Sequence, residues 1–363
     1  MKRYHNLYKV GIDDINEVYK EARRNIRNKN KIYRFENYYS LNISKIKDVF
    51  DSGKYDVGKY NIFLIREPKY RIIMSQNIFD KVINHIVARK FLYVLDNVLI
   101  DSNIATRKNR GTSLGVKLFR RYLNKLDGEI YALKFDISKY FYNIDHEILI
   151  SLLKNKIKDK RVIDILVKII NSTDDEYVNE CICKLKMNEL LKVKRSNLND
   201  KEKLKRIDEI ERIPIYEKGK GLPIGNMTSQ ILAIFYLNNL DHFIKEKLKA
   251  KYYIRYMDDG VILSNDKKYL KYCLKEINRF ISCYKLVLND KTKIINVSME
   301  GLDFLGFRFY KGYTKIRCKN KKRFKRKMAL YKKGKISDKF INGYNGYFKM
   351  GKIKRKWLKK IVY

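Results

Sequence analysis

The fold turns on Tyr252-Tyr253-Ile254-Arg255-Tyr256-Met257-Asp258-Asp259-Gly260-Val261-Ile262-Leu263. Two short runs rich in aromatic and β-branched residues flank an Asp-Gly step, and that pattern predicts a β-hairpin with a tight reversal. Adjacent carboxylates, Asp258 and Asp259, stand at its apex. Apolar strands on both sides imply that the hairpin packs, so the acids are fixed rather than loosely solvated. Like charges at such a separation repel unless a cation lies between them. Taken alone, the Tyr-x-Asp-Asp string is short enough to arise by chance.

A second acid upstream changes its weight. Ile130-Tyr131-Ala132-Leu133 reads as a buried strand, and Asp136 follows Phe135 where the chain would leave the sheet edge; a plain strand-end cap is the competing reading. Acids on neighbouring strand ends can hold two Mg²⁺ ions, which activate an attacking hydroxyl and stabilise a pyrophosphate leaving group. Phosphoryl transfer of that kind rests on positioning and charge, so it needs no Ser or His nucleophile. None is evident.

The surrounding elements support a packed α+β layer. Phe79 to Leu95 carries a helical apolar stripe, and Asp145 is placed to cap a helix with Ile148, Leu149, Leu152 and Leu153 on its face. The turn Gly219-Lys220-Gly221-Leu222-Pro223 feeds a helix from about Thr228, with apolar residues through Leu240, Phe243 and Ile244. A helix near 267–284 and strands near 293–298 and 303–309 follow. This order predicts helices on one face of an antiparallel sheet. Residues up to about 125 read mainly as helices. Charges dominate 173–212, which reads as an exposed helical hairpin or mobile insertion with a solvated face. From Lys315 onward the chain holds twenty Lys/Arg and one acid, Asp338, interleaved with Phe324, Tyr331, Phe340, Tyr344, Tyr347, Phe348 and Trp357. That suits helices lying along a duplex backbone, since aromatic residues mark burial rather than disorder.

With 82 Lys+Arg against 40 Asp+Glu in 363 residues, the net charge is +42. Codon bias inflates Lys but does not explain the shortage of acids, and a polyanion partner does. A single Trp and no basic amphipathic helix with an aromatic face put nucleic acid ahead of a membrane surface. The five cysteines form no paired C-x-x-C units and the four histidines are scattered, so neither a zinc site nor a disulfide framework is expected. The start has no apolar signal region, and the reading is cytoplasmic.

Three blocks then match a family. Lys134-Phe135-Asp136-Ile137-Ser138-Lys139-Tyr140-Phe141 with Ile144-Asp145-His146, Gly221-Leu222-Pro223-Ile224-Gly225-Asn226-Met227-Thr228-Ser229-Gln230, and Tyr256-Met257-Asp258-Asp259 resemble the successive palm motifs of reverse transcriptases. Leu286 to Ile294 resembles the next palm motif, and Phe304-Leu305-Gly306-Phe307 the primer grip. The resemblance runs over roughly residues 60–350, with 173–212 unmatched.

It implies a right-hand polymerase: helical fingers (1–125), a ferredoxin-like palm (126–172 and 213–310) interrupted by the charged insertion (173–212), and a small basic thumb (311–363). It makes Asp136 and Asp258 metal ligands with Asp259 a supporting acid, adds Ile137 to the metal set, and calls for two Mg²⁺ ions, or Mn²⁺. Lys69 and Arg71, within Glu67-Pro68-Lys69-Tyr70-Arg71, resemble the cations that grip the incoming dNTP. Phe141 resembles the aromatic gate against a ribose 2′-hydroxyl; Ile224, Gly225, Gln230 and Lys291 complete the nucleotide set. Ser102 and Arg107 to Gly111 resemble a template-contacting segment, so Arg107, Lys108 and Arg110, with Leu305 and Gly306, are the expected nucleic-acid contacts.

The implied activity is DNA synthesis on an RNA template, with the RNA/DNA hybrid, dNTPs, and a structured non-coding RNA or accessory protein as partners. Pro223-Ile224-Gly225 stands where many reverse transcriptases have Pro-Gln-Gly. The form Ile-Gly-x-x-x-Ser-Gln resembles enzymes of diversity-generating retroelements, which copy with errors at template adenines. Reverse transcriptases of anti-phage defence are the alternative, and the length after the thumb argues against a full group II intron protein. Two rivals of other classes stand beside these: a catalytically silent nucleic-acid scaffold, and a palm enzyme that condenses free nucleotides.

Overall fold

The computed structural model describes residues 4–24, 26–66, 69–337 and 339–351. Glu67, Pro68, Asp338, Trp357 and the rest of 352–363, all named above, lie outside the described residues. The chain divides into two compact units: Met1–Leu99 with Lys139–Leu237 and Cys283–Leu286, and Ile100–Ser138 with Asn238–Ser282 and Val287–Tyr363.

The first unit is mostly helical, but a strand pair interrupts the expected run of helices. β1 (Asn61–Arg66) and β2 (Tyr70–Ser75) pair antiparallel from Asn61↔Ser75 to Arg66↔Tyr70. Continuous apolar runs such as Ile62-Phe63-Leu64-Ile65 carry no period of their own, which is why they pass for helix. Helix Ile78–Asp96 follows as expected. Asp145 caps helix His146–Lys156, its Oδ1 accepting from the Ile148 amide at 3.0 Å. The helix expected from Thr228 runs Met227–Tyr236, breaks at Leu237, and resumes as a short α-helix, Asn238–His242, and a π-helical turn, Phe243–Lys247. No Gly or Pro marks that break in the sequence.

Residues 173–212 do form a helical hairpin, Glu176–Lys194 and Asp200–Glu211. They are not the solvated or mobile insertion expected from their charge. Val178, Ile182, Val193, Ile210 and Ile213 are buried against Tyr60, Tyr70, Ile72 and Met74 of the β1–β2 region. Tyr70 donates to Glu189 at 3.1 Å, and Lys186 donates to the Ile213 carbonyl at 2.9 Å. A few apolar residues at helical spacing suffice to anchor a helix whose remaining positions are charged.

The second unit is built on a four-stranded antiparallel sheet in the order β4 (Tyr252–Tyr256), β5 (Asp259–Ser264), β3 (Tyr131–Phe135), β6 (Lys293–Asn296). Ala132, Ile254, Val261, Leu263 and Ile295 form one core with Phe119 of helix Thr112–Leu123. Alternate residues Leu133, Phe135, Tyr253 and Ile262 are also buried, so both faces are covered rather than one. Near-continuous apolar strands are the signature of a sheet buried on both sides. Residues 100–138 group with this sheet and not with the N-terminal helices, because Asn103 bridges Arg255 and helix Thr112–Leu123 packs on β4.

A three-stranded meander, β7 (Leu302–Phe304), β8 (Phe307–Phe309) and β9 (Thr314–Ile316), leads into helices Cys318–Lys332 and Lys339–Met350. Of their aromatics, Phe324 and Phe348 are buried and Tyr331, Phe340, Tyr344 and Tyr347 half-buried; the Phe324 ring packs against Phe340, Tyr344 and Phe348. Among the described residues no helix is long and apolar enough to cross a membrane.

Candidate active site

Register places the acids. β3 pairs with β5 as Lys134↔Val261 and Phe135↔Gly260, so one further step brings Asp136 opposite Asp259, beside the turn that carries Asp258. Met257 occupies that turn with φ +57°, a left-handed conformation uncommon for a side-chain-bearing residue. Gly260 has a separate reason to be glycine: a Cβ there would stand 2.2 Å from the Phe135 ring.

The structure brings the three acids within electrostatic reach of one another. Asp136 and Asp258 lie near enough for each carboxyl group to act on the other. Burial raises the pKa of Asp136, partly offset by the charge of Lys134 and, at longer range, Lys291. Asp258 is pushed up to about 6, first by burial and then by the charge of Asp136. Asp259 is also pushed up to about 6 by burial, with Lys134 opposing. Its Oδ2 pairs with Lys134 Nζ at 3.1 Å, a diagonal cross-strand contact, while its Oδ1 is buried without a hydrogen-bond partner. The three acids therefore act on one another, and Asp259 is in addition held by Lys134. Among the described residues, no three His, Cys, Asp or Glu side chains gather as a metal cage.

The pair nevertheless fits a divalent cation. Two carboxyl groups raised by burial, Asp258 also by the charge of Asp136, with an orphaned carboxylate oxygen close by in sequence, are what a bound cation would relieve. Ile137, the further ligand suggested by resemblance, bridges Leu288. The bonds are made by its neighbours, Ser138 N–H to Val287 O at 2.9 Å and Asn289 N–H to Asp136 O at 2.7 Å. The Ile137 carbonyl is left out of that bridge. Lys291 is exposed, its amide held by Asn289 Oδ1 at 3.1 Å.

Other nucleic-acid candidates of this unit divide by exposure. Arg107 is buried and donates to the carbonyls of Ile100 (2.8 Å) and Asn103 (3.1 Å), so its guanidinium organises its own loop. Lys108 is exposed, and Arg110 pairs with Asp101 at 2.8 Å. Leu305 and Gly306 form the β7–β8 turn with φ +48° and +87°; the Gly306 carbonyl accepts from Tyr347 Oη at 2.6 Å and Asn320 Nδ2 at 3.0 Å.

In the first unit, Lys69 and Arg71 are exposed at the β1–β2 turn and on β2. Phe141 is half-buried, edge-on to Tyr140, and its carbonyl accepts from the Leu222 amide at 2.8 Å. The Ile224 carbonyl accepts from the Met74 amide at 2.8 Å; Gly225, at φ +128°, lies so close to Met74 that a Cβ would stand 2.9 Å from its carbonyl oxygen. Ile224 and Gly225 are thereby docked on β2, the strand that bears Arg71. Gln230 is exposed.

Reasoning from sequence passed over Lys134, Asp241 and Arg255. Lys134 and Arg255 are charges inside apolar runs (Leu133-Lys134-Phe135, Ile254-Arg255-Tyr256), and that interruption was the available signal; Asp241, in Asn239-Leu240-Asp241-His242, carries none.

Over residues 59–309 the sequence matches the family described as reverse transcriptase (RNA-dependent DNA polymerase). It is 26% identical over 201 residues to the COX1/OXI3 intron 2 protein of Saccharomyces cerevisiae, covering 49% of this chain and 23% of that protein. To the COX1/OXI3 intron 1 protein of the same yeast it is 23% identical over 299 residues, 73% of this chain and 34% of that protein. The chain thus spans about a quarter to a third of the length of these curated relatives. Among solved structures it is similar to telomerase from Candida albicans in complex with a fragment of telomeric RNA, with TM-score 0.44, 13% identity, and coverage of 79% of this chain and 50% of that one. For apo telomerase from Candida tropicalis truncated from its C-terminal domain the values are 0.47, 15%, 71% and 55%.

Proposed function

This chain belongs to the reverse transcriptase family, and on that premise we propose that it extends a primer 3′-hydroxyl with dNTPs on an RNA template. The observation that carries the proposal is the Asp136–Asp258 carboxyl pair at adjoining ends of the buried sheet. Asp136 and Asp258 would hold divalent ions, with the Ile137 carbonyl and Asp259 as further donors. Such ions, when bound, supply charge stabilisation to the attacking and leaving oxygens. Lys134 keeps the third acid neutralised and its carboxylate oriented. Lys69 and Arg71 would bind the triphosphate, and Phe141 would exclude a 2′-hydroxyl. Gly225, Gln230 and Lys291 complete the nucleotide contacts by resemblance, and Lys108 with the Leu305–Gly306 turn would touch nucleic acid.

The test is extension of a labelled primer annealed to RNA, with dNTPs and Mg²⁺. Extension on RNA with dNTPs, and far weaker extension with NTPs, is the expected outcome. A chain that joins free nucleotides without a template, or extends nothing, would overturn the proposal in favour of the two rival classes.

The finer reading is synthesis that is error-prone at template adenines, as in diversity-generating retroelements. Its support is Ile224, an apolar side chain that cannot offer the hydrogen bonds of the Gln found there in many relatives, on a loop docked against β2. Sequencing of products should show misincorporation concentrated at template adenines and reduced by Ile224→Gln; equal error rates at all four bases would sink this reading. The same chemistry would serve an anti-phage defence system whose partner is a structured non-coding RNA or an accessory protein. A cytoplasmic site of action goes with either program, on sequence grounds alone.

A further inference from the structure

One buried ion pair stands behind the Met257–Asp258 turn. Arg255 and Asp241 are both fully buried. Arg255 donates through Nε to Asp241 Oδ1 at 2.7 Å and through Nη2 to Oδ2 at 2.5 Å, the bidentate geometry that a guanidinium fork favours. Tyr253 Oη adds a bond to Oδ1 at 2.8 Å and Asn103 Nδ2 one to Oδ2 at 3.3 Å, so four donors satisfy the carboxylate. The remaining arm of the fork, Nη1, donates to the carbonyl of Met257 at 2.6 Å. That is the residue held at φ +57°, and the next residue is Asp258. The Arg255 backbone is itself clamped: its amide donates to Ser102 O at 3.0 Å and its carbonyl accepts from Ile104 N–H at 3.1 Å.

Burying two charges is costly, and a pair of apolar residues of similar volume is often at least as stabilising. A charged pair at this position therefore points to something beyond fold stability. We propose that Asp241 and Arg255 are positioning residues of the catalytic turn. Asp241 fixes the guanidinium, the guanidinium fixes the Met257 carbonyl, and the strained turn then presents Asp258 to Asp136. Through Asn103 the same carboxylate is tied to the loop that Arg107 organises and that bears Lys108, so the turn and that loop share one anchor. The proposal rests on the polymerase reading for its kinetic consequence, but not for its effect on cation binding.

The experiment compares three proteins: the wild type, Asp241→Leu with Arg255→Met, and Arg255→Lys. Each is followed by thermal melting, by single-nucleotide incorporation, and by Mn²⁺ binding in electron paramagnetic resonance. A misplacement of about 1 Å at reacting groups costs on the order of 100-fold in rate. The apolar double variant removes both charges but takes the carboxylate from Tyr253 Oη and Asn103 Nδ2, and is expected to stay folded and melt modestly below the wild type. Its kcat should fall about 100-fold with KM for dNTP unchanged, and Mn²⁺ binding should weaken at least about tenfold. Arg255→Lys keeps the charge but lacks the fork that spans Asp241 and the Met257 carbonyl, and it should fall between the two; it also serves should the double variant not fold. A folded variant whose Mn²⁺ affinity and kcat stay within threefold of wild type would reduce the pair to a structural role. Wild-type protein that binds Mn²⁺ but extends no primer would defeat the polymerase reading, and the Mn²⁺ comparison would still decide the positioning proposal.

Discussion

Gly260 shows how tightly the catalytic hairpin is specified at single residues. It faces Phe135 across the β3–β5 ladder, and a methyl group there collides with the tip of that fully buried ring, which is packed in place. Gly260→Ala should lower stability by about 1–3 kcal/mol, as overpacked cores do, and lower activity with it. Gly343, inside helix Lys339–Met350, has open space where a Cβ would go. Gly343→Ala should be neutral or stabilising by up to about 1 kcal/mol. Thermal melts of the two variants in parallel check both signs. Asp136 and Asp258 were legible in sequence because a carboxylate at the end of an apolar strand has few structural uses. That Asp259 turns to Lys134 was not legible, because it depends on a diagonal contact fixed only by the register of β3 on β5. The Arg255–Asp241 pair was hidden for a related reason: fourteen positions separate partners that meet only after the sheet forms.

At the scale of elements, the charged hairpin of residues 173–212 is a packed support for β1 and β2. Ile182 is fully buried, whereas Leu204 on the second helix is 67% exposed. Ile182→Ala should cost about 2–5 kcal/mol through lost burial and a residual cavity. Leu204→Ala should stay within about 0.5 kcal/mol. Chemical denaturation distinguishes them, and near-equal midpoints would return the hairpin to the solvated role its composition suggests. The strands around the acids could be read from β-branched runs and the Asp-Gly step, and the capped helix from Asp145. The β1–β2 pair could not, since its apolar run lacks alternation, and neither could the helix break at Leu237, which no breaker residue announces. Composition misleads in the charged hairpin because four buried apolar positions, Val178, Ile182, Val193 and Ile210, outweigh many solvated lysines and glutamates.

For the molecule as a whole, the net charge of +42 is the dominant bulk property. A protein that neutralises six to ten phosphates loses roughly 10³–10⁵ in affinity between about 50 and 200 mM salt. Binding of a primer–template duplex by this chain should show a slope of that order, and a nearly salt-independent affinity would rule out a phosphate-dominated interface. Charge alone serves a silent scaffold equally well, so the decisive observable is chemistry at the carboxyl pair. Primer extension on an RNA template, with Mg²⁺ present or chelated and with Asp258→Asn beside the wild type, tests that most directly. The account predicts extension by the wild type, its loss on chelation with recovery on adding Mg²⁺, and a fall of at least about 10³-fold for Asp258→Asn with duplex binding retained. Undiminished extension by Asp258→Asn, or extension indifferent to chelation, would contradict it.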